Sequence, residues 1–166
     1  MLIQFLLNFF VDFMYGNVWD LFYYESEWGF IITMVHMGFV MMAAENKSWN
    51  KLAIVSGEIA LGFDLIIEPL FWKEIAPVVF PDMKWHGLDL YYRIEMPFVH
   101  SIPLISMIIN IAITDMVFLK KDWRMCFASG VLYIGADYLG FRMEGHPMYP
   151  VVDWTNPAKT IGIFML

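Results

Sequence analysis

Thr33 and His36 stand three residues apart in an apolar run, a spacing that puts both side chains on one face of a helix. A hydroxyl with a neighbouring imidazole suits nucleophilic catalysis, provided the imidazole takes the proton and a third group orients it. The plainer reading is that a membrane-helix threonine bonds its own upstream carbonyl and the histidine packs on a neighbouring helix. His36 and His100 fall in different apolar runs and could flank a haem, but no second histidine pair supports it. No metal-ligand cluster, glycine-rich phosphate loop or G-x-S-x-G turn occurs, so no metal or cofactor is expected.

Five carboxylates also interrupt the apolar runs: Glu58, Asp64, Glu68, Asp115 and Asp137. Charges inside membrane spans are rare and mark functional positions. Asp64 and Glu68, four apart, share a helical face near a membrane boundary. Glu68 and Asp115 are expected near an interface or paired with a basic residue of another subunit. Glu58, Asp64 and Asp137 lie deeper, where a carboxylate must be protonated, paired or turned to a wet cavity. Neither Lys nor Arg falls within the same spans, so the expected partner is another chain, a lipid head group or a water-filled pocket.

Helices must position these side chains. Four apolar stretches, about 28–44, 52–72, 97–119 and 126–141, lack the alternation of barrel strands and approach the ~20 residues of a bilayer-spanning helix. Residues 1–15 are apolar but short for a span, and read as an interfacial helix. This segment carries no basic residue before it and no small-residue cleavage site, so targeting information is expected to be internal or already removed. The loops holding Lys47, Lys51, Lys120, Lys121 and Arg124 fall on one side if the spans alternate, which points that side to the cytoplasm or matrix. Trp28, Trp49, Trp72, Tyr91, Tyr92 and Trp123 cluster near predicted span ends, as an interfacial aromatic belt would.

Composition agrees. Of 166 residues 60% are hydrophobic and 16% charged, against about 45–50% and 25% in soluble domains. The net charge of −7 excludes the basic face that nucleic acid requires. Cys126, the single cysteine, has no internal disulfide partner and reads as a small core residue.

The stretch "MYPVVDWTNPAKTIGIF" resembles the androgen-induced / TFPI-regulating family of multi-span membrane proteins. In that family a Tyr-Pro pair precedes an acid, then Pro-Ala or a similar pair, then an apolar helix. Tyr149, Pro150, Val151, Asp153, Pro157, Ala158, Ile161 and Phe164 fit that spacing. "SEWGFIITMVHMGF", "EPLFWKEIAPVVFP" and "VHSIPLISMI" are similar to further family stretches in the same order, so the resemblance covers about Glu27 to Phe164. It implies a threonine-dependent hydrolase of fatty-acid esters of hydroxy fatty acids, with Thr33 as nucleophile and His100 or His36 as base. The register departs from the pattern: aligned on Trp28, the family's threonine falls on Ile32; aligned on Pro103, its histidine falls on Phe98. A one-residue shift turns a side chain about 100° around a helix.

The proline segment is expected to be a re-entrant or surface loop, with Asn156 capping a helix that opens on Pro157. From Pro157 to Leu166 that helix reaches only ~15 Å, half a span. The sequence therefore predicts one all-α membrane domain over residues 1–166: a four-span helical bundle, an N-terminal interfacial helix and a C-terminal half-helix over 157–166. The function expected is that of a non-catalytic accessory subunit in a larger membrane complex of the mitochondrial inner membrane, with lipid bound. A membrane lipid-ester hydrolase is the alternative.

Overall fold

In the computed structural model, which describes residues 2–15, 23–114, 116–149 and 152–164, the chain is all-helical, with no strand among the described residues. Helix α1 covers Leu2–Tyr15. Helices α2 (Glu25–Glu45) and α3 (Asn50–Leu70) form an antiparallel hairpin, closed by a 3-10 turn over Lys47–Trp49 whose Ser48 N–H donates to the Asn46 side chain at 2.9 Å. Their close approach depends on small residues: a Cβ at Gly29 would sit 2.8 Å from Ile67 Cδ1, and one at Gly57 2.7 Å from the His36 ring.

Pro69 withholds a backbone N–H near the end of α3, and two residues later the helix widens into a π turn over Phe71–Ile75. Short α4 (Ala76–Val79) and a 3-10 turn at Phe80–Asp82 follow. Helices α5 (Gly87–Val99) and α6 (Ile102–Ile113) meet at a break over His100–Ser101, flanked by Pro97 and Pro103. Residues 116–119 run without helix into a 3-10 turn at Lys120–Asp122, then α7 (Trp123–Glu144) closes on Gly145 in the left-handed conformation. Helix α8 covers Pro157–Phe164, and Asn156 Oδ1 accepts from the Lys159 N–H at 3.2 Å, the predicted cap.

Three expectations are corrected. The run 97–119 is not one helix: the helical part begins at Gly87, breaks at His100–Ser101 and ends at Ile113, because prolines interrupt it where composition alone shows only apolar residues. Of the two readings of the proline segment, re-entrant or surface loop, the surface one is corrected: Met148, Tyr149, Val152 and Trp154 lie in one buried cluster with Tyr23, Phe63, Ile67 and Tyr133. Its aromatic rings gain more from burial than the connecting backbone gains from water. Cys126 is half-buried and does not belong to the buried core. Asp115, Pro150 and Val151, with Met165 and Leu166 at the end of the predicted half-helix, lie outside the described residues.

By length and composition, two helical segments among the described residues are long and apolar enough to cross a membrane: Glu25–Glu45, and Gly87–Ile113 with its break. Helices α3 and α7 have 21 and 22 residues, but Lys51, Glu58, Asp64 and Glu68 interrupt the first, and Arg124, Asp137 and Arg142 the second. Beside the buried apolar cluster, the bundle also buries polar side chains and leaves many apolar ones exposed. Thr33, His36, Asp64, Asn110 and Asp137 are buried, whereas Leu65, Ile108, Ile113, Phe127, Leu132 and Leu139 are exposed.

Candidate functional site

Thr33 and His36 share the inward face of α2, as their spacing predicts, but they serve different partners. Thr33 is 0% exposed, and its Oγ1 donates to Asp64 Oδ2 on α3 at 3.0 Å. His36 lies 2.9 Å from the Ala53 carbonyl through Nδ1 and 2.9 Å from Asn110 Nδ2 through Nε2. A carbonyl can only accept, so Nδ1 carries the proton and donates; Nε2 then accepts from the Asn110 amide. Ser56 Oγ, 3.3 Å from Nδ1, bonds its upstream Leu52 carbonyl at 2.6 Å. Both imidazole nitrogens are therefore occupied, and neither is placed to take a proton from Thr33.

His100 sits at the α5–α6 break, its ring stacked on Phe71 with centroids 3.7 Å apart and planes within 4°. No hydrogen bond joins it to Thr33 or His36, and its buried Nδ1 has no hydrogen-bond partner among the described residues. Haem ligation by His36 and His100 is opposed by the saturation of the first. Among the described residues no three His, Cys, Asp or Glu side chains group so as to hold a metal ion.

The deep carboxylates find donors within the chain, where a second chain, lipid or water was expected. Asp64 takes the Thr33 hydroxyl, and Glu58 takes the backbone N–H of Leu119. Asp137, 0% exposed, accepts from Trp154 Nε1 at 2.5 Å, with Tyr133 Oη at 3.5 Å. Neutral donors satisfy an anionic or protonated acid alike, so no buried cation is needed. Glu68 is buried, one helical turn from Asp64 on the same face of α3.

The proline segment completes this framework. Tyr149 Oη accepts the Glu25 N–H at 2.8 Å, which satisfies one of the orphan donors at the start of α2. Burial, with the Glu25 carboxyl beside it, pushes the Tyr149 phenol well above its usual range. Asp153 is held below the usual carboxylate range by the Thr155 hydroxyl and N–H, at 2.7 and 2.9 Å.

A cavity of about 590 Å³ opens between the start of α2, the π turn, α5 and residues 147–149. Tyr91 and Tyr92, expected in an aromatic belt, line it together with His100, Glu27 and Glu95. Sequence reasoning passed over Asn110, Trp154 and these two glutamates. Asn110 was visible as an amide inside an apolar helix, whereas the other three lie in stretches that read as connections. Comparison of the chain with protein-family models, curated proteins and solved structures finds no match.

Proposed function

We propose that this chain is a membrane-embedded helical bundle and a non-catalytic accessory subunit of a larger membrane assembly. In this reading α2, α3, the broken α5–α6 pair and α7 form four spans. Helix α1 lies at the interface and α8 supplies a half-helix. The many exposed aliphatic side chains support a bilayer around the molecule, since such rows need lipid or protein against them. The observation that carries the non-catalytic reading is the saturation of Thr33 and His36. The hydroxyl is wholly buried and given to Asp64, and the imidazole has no free nitrogen. The mitochondrial inner membrane is the location proposed, on the compact, apolar, one-cysteine character of the chain. The scaffold is proposed to be a divergent form of the androgen-induced / TFPI-regulating fold that keeps its packing and has lost its chemistry.

The test is extraction from the native membrane in mild detergent, a native gel, and mass spectrometry of the band. Migration within a large complex is expected; migration at the mass of the chain plus detergent overturns the proposal. The competing reading, a lipid-ester hydrolase with Thr33 as nucleophile and His100 or His36 as base, draws on one observation. The cavity against His100 has room for part of an acyl chain. Its assay compares turnover of lipid esters by wild type and Thr33→Ala, and equal rates are expected.

A further inference from the structure

The cavity at the α2–α5 end of the bundle has a lining suited to one class of ligand. Tyr24, Phe71, Tyr91, Tyr92 and Tyr149 give it aromatic walls. Glu27 and Glu95 bring two carboxyl groups to it, and neither Lys nor Arg is among its lining residues. The base on α5, Arg93, points elsewhere: its Nε donates to the Met83 carbonyl at 3.1 Å, and its guanidinium lies 4.4 Å from the Trp85 ring centroid. His100 forms part of the inner wall, 8% exposed and stacked on Phe71, with Nδ1 bonded to no group among the described residues. Ile75, Val79, Met96 and Val99 supply an aliphatic strip along the same cavity.

An anionic head group would meet two carboxyl groups in a lining that has neither Lys nor Arg, and a metal ion would lack a third ligand among the described residues. A cation over aromatic faces gains electrostatic attraction that grows as water is excluded, and carboxylates strengthen it. We propose that this cavity binds the ammonium head group of an amphiphile, with the rings and carboxylates around the head and the aliphatic strip along the first part of its chain. An amine-headed membrane phospholipid and a free long-chain amine both carry that chemistry. The site stands on its own lining and not on the assembly proposed above, so the two tests fail separately.

The experiment titrates the purified full chain, in neutral detergent, with hexyltrimethylammonium, hexylamine and hexanoate, read by isothermal titration calorimetry. Saturable binding of at least one ammonium compound and no binding of hexanoate are expected. Hexanoate binding as tightly as both ammonium compounds overturns the proposal, as does the absence of binding by either. Preference for hexylamine places an N–H donor against His100, since the trimethylated head has none. The Glu27→Gln/Glu95→Gln double variant should weaken ammonium binding about tenfold or more. Undiminished affinity in that variant also overturns the proposal. Should the variant fail to fold, by circular dichroism, the charge selectivity of the wild type decides alone. Mass spectrometry of material that co-purifies then separates the sources: a choline or ethanolamine phospholipid, or a free amine. A fatty acid alone counts against the site.

Discussion

Tyr149 shows what a single side chain does in this molecule. Its hydroxyl receives the Glu25 N–H, its ring meets Tyr24 edge-on with centroids 5.6 Å apart, and burial raises the phenol above its ordinary range. The consequence for stability has a definite sign. The unfolded phenol ionises near pH ~10, whereas the folded one holds its proton higher. The stabilisation is therefore whole below about pH 10 and falls as pH rises through the folded value. Thermal unfolding in neutral detergent from pH 8 to 11 should show a steeper loss for wild type than for Tyr149→Phe. Parallel curves would contradict this. At the same scale, the sequence located Asp64, Glu58 and Asp137 as buried acids but not their partners. Trp154, Leu119 and Thr33 lie 17, 61 and 31 residues away, and only the packed fold chooses among such distant donors. One helix face puts Thr33 and His36 on the same side, but it does not show that the first bonds Asp64 and the second bonds Ala53 and Asn110.

The α2–α3 hairpin is the element on which the buried polar groups depend. Gly57 lets α3 lie against the His36 ring, and an alanine there would press 2.7 Å from Cε1. Gly57→Ala should cost about 1–3 kcal/mol, by forcing the ring off its Ala53 and Asn110 bonds. Gly62, on the same helix, has open space where an alanine methyl would stand, with no atom within 4 Å. Gly62→Ala should therefore be neutral or stabilise by up to about 1 kcal/mol. Denaturation midpoints of the two variants check the contrast, and equal effects would remove the packing explanation. The hairpin was legible because α2 and α3 follow long apolar runs bounded by the polar "ENKSWNK". The α5–α6 break was not, since the apolar run passes through it and the polar start of α5 disguised the true helix beginning at Gly87. Prolines and polar residues at 145–156 read as surface for the same reason: local composition carries no record of what Tyr149 and Trp154 reach.

On the scale of the whole molecule, the exposed aliphatic rows carry the membrane reading. Ile108, 55% exposed in the middle of α6, would face acyl chains in a bilayer. Ile108→Lys should raise the apparent free energy of insertion by about 3–4 kcal/mol in a translocon insertion assay. Unchanged insertion would argue for a helix covered by protein or water. The buried proline segment has one more consequence, which concerns the order of events during synthesis. The cluster that Tyr23, Phe63 and Ile67 begin is completed only by Tyr149, Val152 and Trp154, and the acid on α7 receives its indole donor from the same late stretch. While the chain emerges, residues up to Glu144 can form helices but hold an open seam along α2, α3 and α7. The seam closes when the segment after Gly145 leaves the ribosome and turns back between them. The bundle therefore matures after its helices have formed, and a chain arrested before Tyr149 would present its unfinished interior to the quality-control machinery of the cell.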